Sequence, residues 1–192
     1  FLLSNSSKSQ IEKLYSIWSV IFLIVILDLL IEFFSGKNIL GLISTMPGQR
    51  LASFTGGDNI HNSESVIGYY FYGFVLIFLS VFKKYFKNQI LNILIAYSLI
   101  VLSFLIGERA NFIKVFLVVN IYIFLMFEIN YKIKISFFVI LISLLVIFLK
   151  MNPTYKVRYY DQIKTIFISD GILNYTNNSQ YGAHYNVAKE IF

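Results

Sequence analysis

The sequence has 192 residues, of which 57% are hydrophobic and only 14% are charged, with a net charge of +6 and no cysteine. Soluble domains usually carry about a quarter charged residues, so this composition is typical of a membrane protein. The lack of cysteine excludes disulfides and thiolate metal sites. The lysines lie mostly between apolar segments, which favours topology signals and lipid phosphates over a nucleic-acid partner.

Five apolar segments divide the chain. They run at about 14–34, 66–82, 90–106, 112–127 and 135–149. The first has roughly 20 residues, enough for a helix to cross the hydrocarbon core of a bilayer. The pattern predicts an all-α polytopic membrane protein with about five transmembrane helices. A single membrane domain would then carry an extracytoplasmic loop at 35–65 and a tail at 150–192.

Both ends of the sequence look internal. Phe1 stands where an initiator methionine would, and Phe192 closes the chain within an apolar-periodic run at 184–192. That periodicity predicts a helix that lies at the membrane surface or begins a docked amphipathic segment. We expect the chain to be an internal fragment of a longer protein.

The short turns set the expected orientation. The turns at 83–89 and 128–134 carry three and two lysines, respectively. Because positive residues favour the cytoplasmic side, these turns are predicted to be cytoplasmic. The 35–65 loop, the turn at Arg109 and the tail then share the outer face, where they can converge on one site.

Three arginines lie in those outer segments: Arg50, Arg109 and Arg158. A guanidinium offers a fixed fork of donors suited to phosphate. Each arginine also has a structural interpretation. Arg50 would be a solvated loop residue. Arg109 would be an interfacial residue paired with Glu108, and Arg158 would anchor the tail among lipid headgroups. The residues alone leave both interpretations open.

Histidines and intramembrane carboxylates are the other candidates. His184 is a candidate general base near neutral pH, but a lone histidine, like His61, is more often a structural hydrogen-bonding group. Asp28 and Glu32 lie one helical turn apart in the first span. Such carboxylates mark ion paths or partner contacts. Proton coupling and pairing with a cation from a span outside this chain are both open.

Several familiar catalytic motifs are absent from the sequence. It has no Gly-rich phosphate loop ending in Gly-Lys-Ser/Thr, no His-Glu-x-x-His and no Asp-x-Asp. We therefore expect no nucleotide, metal or other cofactor.

Three passages follow one another in a distinctive order: RLASFTGGD at 50–58, IGERANF at 106–112 and SQYGAHYNVAKEIF at 179–192. The first is similar to an arginine loop before a membrane helix, and the second to a Gly-x-Arg-small turn. The third is similar to the segment ahead of a Phe-Gly-x-Gly turn. Over about 50–192 the sequence thus resembles the O-antigen ligase and polymerase family of bacterial envelope glycosyltransferases. It departs from that family at Glu108, where Ser or Thr is usual.

The resemblance implies part of a C-type glycosyltransferase-like helix bundle in the bacterial inner membrane. The active face would be periplasmic, with 150–192 opening a large periplasmic loop. The activity would be an inverting, metal-independent transfer of a glycan from undecaprenyl pyrophosphate to an acceptor glycan (polymerase) or lipid A core (ligase). On this basis Arg109, Arg158 and Arg50 are expected to bind pyrophosphate. His184 or Asp161 would take the acceptor proton.

A membrane transporter or flippase for lipid-linked sugars is the alternative, with Asp28 and the basic loops moving a substrate. Transporters usually show internal repeats and polar residues at mid-membrane. The sequence shows no repeat, and its intramembrane polar load is light apart from Asp28. A structural membrane subunit fits the composition but gives no reason for a long polar loop and tail. The sequence therefore favours the glycosyltransferase.

Overall fold

The computed structural model describes residues 8–44, 50–55 and 63–161, together with residues 164 and 187. Its contacts divide the chain into two compact units, Phe1–Leu145 and Val146–Phe192. The described elements are six α-helices, a 3₁₀ turn and a π-helix. They are α1 Lys8–Ser35, the 3₁₀ turn Ser53–Thr55, α2 Ser63–Tyr85, α3 Gln89–Ile106, α4 Arg109–Met126, α5 Tyr131–Met151, α6 Pro153–Lys156 and the π-helix Val157–Asp161.

Five of these helices are long and apolar enough to cross a membrane. They coincide with the five predicted spans, so the all-α polytopic membrane fold is confirmed. The structure extends α1 to 28 residues and α2 to 23, because their polar ends continue the helices beyond the apolar segments. Large apolar side chains remain exposed along the helices, for example Val20, Ile24 and Leu117. These faces are suited to lipid rather than water.

In the first unit, α2 packs against α1, α3 and α4. Aromatic side chains fix the α1–α2 pair, with Trp18 stacked on Phe74 at 4.7 Å and Phe22 against Phe71 at 4.9 Å between ring centroids. The most enclosed helix is α3, whose Ile93 and Ile100 are fully buried. The core therefore lies among the first four helices.

The ends of α3 are specified by local sequence. Asn88 is its N-cap, and its side-chain oxygen accepts the N–H groups of Ile90 and Leu91. Gly107 ends the helix in the left-handed region at φ +83°, and its N–H donates to the Phe104 carbonyl. This tight end places Glu108 and Arg109 directly at the start of α4.

The turns at 86–88 and 127–130, together with the start of α1, form what we term the lysine end of the first unit. Lys134 is buried there, and its ammonium donates to the carbonyls of Phe124 (2.9 Å) and Phe127 (2.6 Å). The Lys83 ammonium donates to the Met126 carbonyl. Lys84 pairs with Glu12 at 2.8 Å. Lys83 and Lys84, at the end of α2, and Lys134, at the start of α5, thus close the C-terminus of α4 and join α2 to α1.

Candidate functional site

The opposite end of the first unit carries the described loop residues 36–44 and 50–55, the C-terminus of α1 and the turn from Gly107 to Arg109. We term it the arginine end, because both Arg50 and Arg109 lie there. Leu51 and Ala52 are buried, and the Leu51 N–H donates to the Ile106 carbonyl at 3.3 Å. This bond joins the residue after Arg50 to the last residue of α3. The structure therefore brings the arginine loop and the Gly-Glu-Arg turn together.

Two buried carboxylates of α1 hold the loop in place. Glu32 is 4% exposed and accepts the N–H groups of Ala52 (3.0 and 3.1 Å, one to each carboxylate oxygen) and Ser53 (2.7 Å). Asp28 is fully buried and accepts the Ser53 hydroxyl and the Ile39 N–H, both at 2.6 Å. Asp28 and Glu32 are thus a brace for the loop.

For these carboxylates the sequence left open proton coupling and pairing with a cation from a span outside this chain, and it did not suggest the hydrogen bonds of the brace. The partners of Asp28 and Glu32 are a hydroxyl and backbone amides that follow in the chain. A periodic sequence pattern cannot predict these hydrogen-bond partners, because they belong to an irregular loop. The usable sequence signal is two carboxylates at the end of a span followed by a loop rich in small residues.

Asn38 adds a second layer to the brace. Its amide donates to the Ser53 carbonyl at 2.6 Å, and its side-chain oxygen accepts the Leu42 N–H at 2.8 Å. Ser53 itself has φ +50°, a left-handed conformation that is costly for a residue with a side chain. The surrounding hydrogen bonds hold it in that conformation. Sequence analysis singled out neither residue.

The start of α4 lacks a side-chain cap. Glu108 is the N-cap residue, but its side chain makes no capping hydrogen bond. The first N–H groups of a helix have no intrahelical acceptor and form the positive end of its dipole. Arg109 is the first residue of this helix and is half-buried. Arg50 is half-buried as well, with its Nε atom enclosed. Cationic groups and helix dipole therefore lie at the same end.

A close helix contact brings α2 to this turn. A Cβ atom on Gly68 would stand 2.9 Å from Asn111 Nδ2 and 3.1 Å from the Glu108 Cβ. An alanine at this position would require the side chains of Asn111 and Glu108 to shift. Asn111 is 2% exposed, and its side-chain oxygen has no hydrogen-bond partner among the residues that the structure describes.

Lys114 is a cation that sequence analysis missed. Its ammonium lies over the ring of Tyr69 at 5.2 Å and that of Tyr72 at 5.5 Å. Such contacts hold an ammonium in place while leaving its donors available. The sequence signal was two tyrosines three residues apart near one helix end and a lysine near the end of another. The sequence alone does not show that these tyrosines and this lysine are close in space.

The second unit holds the other predicted residues that the structure describes. Arg158 and Asp161 are both half-buried and lie three residues apart in the π-helix. Single π-helical turns are frequent at functional sites. His184 and His61 lie outside the described residues, as does the predicted helix at 184–192.

No protein-family model matches the sequence, and comparisons with curated proteins and with solved structures give no match either. The function must therefore be inferred from the residues and their geometry. The arginine end collects Arg50, Arg109, Lys114 and the N-terminus of α4 on one side of the first unit.

Proposed function

We propose that the chain is part of an integral membrane glycosyltransferase of cell-envelope polysaccharide assembly. The enzyme moves a glycan from undecaprenyl pyrophosphate to an acceptor sugar, as a polymerase or a ligase. The observation that carries this proposal is the arginine loop, which two buried carboxylates and a bond to the last residue of α3 fix beside the turn that leads into α4. A site this rigid and cationic is suited to a pyrophosphate group at the edge of a bilayer.

The reaction needs little beyond positioning and charge stabilisation. Pyrophosphate is a good leaving group, and negative charge builds on it as the sugar–phosphate bond breaks. Preorganised donors lower the free energy of that transition state without a metal. In this proposal Arg50 and Arg109 contact the pyrophosphate, and the resemblance makes Arg158 a further candidate for that role. Asp161 or His184 accepts the proton of the acceptor hydroxyl.

The location follows from the same proposal. The arginine end faces the periplasm, and the lysine end faces the cytoplasm of a bacterial inner membrane. The partners are the lipid-linked donor glycan and either a growing repeat or a lipid A core. No nucleic acid or cofactor takes part.

A transporter or flippase of lipid-linked sugars is the alternative function. Its main support in the sequence was Asp28, as an ion-coupling group inside the membrane. The Asp28 carboxylate accepts the Ile39 N–H and the Ser53 hydroxyl, so it has a structural role. No other observation on the described residues favours transport over transfer.

Deletion of the gene tests the proposal at the level of the glycan. A gel of surface and lipid-linked glycans from the deletion strain should show single repeats for a polymerase. Long chains stranded on the undecaprenyl carrier would identify a ligase. An unchanged profile would contradict glycosyl transfer and leave the transporter in its place.

Substitution of Arg109 tests the site itself. Arg109→Lys keeps the charge but removes the fork of donors, so glycan transfer should fall about 10- to 100-fold. Lys132→Arg, in the turn at the lysine end, is the matched control and should leave transfer unchanged. Equal activity of the two variants would remove Arg109 from the site.

A further inference from the structure

The second unit contains a cavity that the proposed function does not use. Its volume is about 480 Å³, and the described residues that line it are Val146, Leu149, Lys150, Lys156 and Tyr160. Two lysines, a tyrosine and two aliphatic residues thus form the described part of its lining. Arg158 and Asp161 are not among these residues.

A break between two helices forms this cavity. α5 ends at Met151, and the side chain of Asn152 caps α6 by accepting the Tyr155 N–H at 3.4 Å. Pro153 follows as the first residue of α6, where its fixed φ suits a helix start. The chain therefore turns abruptly at the end of a membrane span.

Aromatic contacts hold the break in one geometry. Tyr155 is buried and meets Phe148 edge-on at 5.3 Å between ring centroids. On its other side it stacks parallel to Tyr159 at 6.4 Å. These contacts fix α6 and the π-helix against the last turns of α5. Lys156 follows Tyr155 in the chain, and Tyr160 follows Tyr159. The stacked rings therefore fix both residues in the lining of the cavity, together with Lys150.

The chemistry of the lining selects an amphiphilic anion. Val146 and Leu149 belong to a membrane-spanning helix, whereas Lys150 stands at its end, near the level of lipid headgroups. Two lysines at that level attract phosphate, and a phenol adds a hydrogen-bond donor. Aliphatic walls suit the first methylene groups of a lipid chain.

We propose that this cavity binds the phosphate group of a membrane lipid. Lys150 and Lys156 contact the phosphate oxygens, Tyr160 donates a hydrogen bond, and Val146 and Leu149 contact the start of the chain. Anionic phospholipids and polyprenyl phosphates both present this chemistry. The inference needs the bilayer but not glycosyl transfer, so the two proposals fail separately.

Lipid binding to the purified protein in detergent tests the cavity. Native mass spectrometry measures the bound fraction of phosphatidylglycerol, undecaprenyl phosphate and, as a zwitterionic control, phosphatidylcholine. The double variant Lys150→Gln/Lys156→Gln should bind the preferred anionic lipid about tenfold more weakly. Lys150→Arg/Lys156→Arg keeps both charges and should retain binding, which separates lost charge from misfolding.

The control pair is Lys87→Gln/Lys132→Gln, two exposed lysines of the turns at the lysine end. It should change binding less than twofold. A selective loss of phosphatidylglycerol would assign a resident phospholipid, and a selective loss of undecaprenyl phosphate would assign a polyprenyl ligand. Equal binding by the parent protein and the Lys→Gln cavity variant would overturn the proposal. So would a loss matched by the control pair, or equal binding of phosphatidylcholine.

Discussion

Ser53 joins a strained backbone to a buried hydrogen bond. Its φ of +50° is unfavourable for any residue with a Cβ, while its hydroxyl donates to Asp28 at 2.6 Å. Ser53→Ala removes the donor and keeps the strain, so it should lower the free energy of unfolding by about 1–3 kcal/mol. Ser53→Gly removes the same donor but relieves the strain, and its loss should be smaller by about 1 kcal/mol. Thermal unfolding in detergent measures both, and equal losses would contradict the strain.

Lys134 is a charged residue whose burial and hydrogen bonds give it a structural role. It is 6% exposed and bonds two carbonyls at the end of α4, whereas Lys132 in the same turn is exposed. Lys134→Met leaves those carbonyls without their charged donor and should destabilise the protein by about 1–3 kcal/mol. Lys132→Met should be nearly neutral. Equal effects in a thermal-unfolding series would show that the buried contact contributes nothing.

At the scale of elements, the α2–α4 contact depends on one glycine. A Cβ on Gly68 would meet α4 at 2.9 Å, whereas a Cβ on Gly73 in the same helix would meet no atom within 4 Å. Gly68→Ala should therefore displace the side chains of Asn111 and Glu108 and cost about 1–3 kcal/mol through overpacking. Glycan transfer should fall with it, because Glu108 directly precedes Arg109.

Gly73→Ala is the matched control for that contact. Alanine is a better helix former than glycine by about 1 kcal/mol, so this variant should be neutral or slightly stabilising. Melting temperature and glycan transfer are measured on both variants. A neutral Gly68→Ala would mean that α2 and α4 are farther apart than the structure has them.

The helices could be predicted from the sequence, but the brace could not. Each span reveals itself through its own residues, because about 20 apolar positions suffice to define it. The role of Glu32 depends on Ala52 and Ser53, which come 20 and 21 positions later and lie in irregular backbone. The sequence predicted only that Arg50 and Arg109 lie on the same face of the membrane. Their actual arrangement depends on the buried Leu51 and its bond to Ile106.

For the whole molecule, orientation in the bilayer is the property that function requires. The lysine-rich turns predict that the arginine end faces outward. The chain has no cysteine, so single substitutions report cleanly on each side. A membrane-impermeant maleimide should label Leu40→Cys in intact spheroplasts and Lys87→Cys only after permeabilisation. The reverse pattern would place the arginine end in the cytoplasm and contradict a periplasmic active site.

The brace also has a consequence for biosynthesis. The ribosome adds Asp28 and Glu32 before the amides and the hydroxyl that will bind them. A carboxylate deep in lipid without a partner costs about 2.5–3.5 kcal/mol on insertion scales. We therefore expect the newly made α1 to remain shallow in the membrane and to settle only when the 36–55 segment emerges. Glycosylation mapping of nascent chains cut before and after residue 55 would detect that shift, so insertion of α1 and folding of its loop form one coupled step.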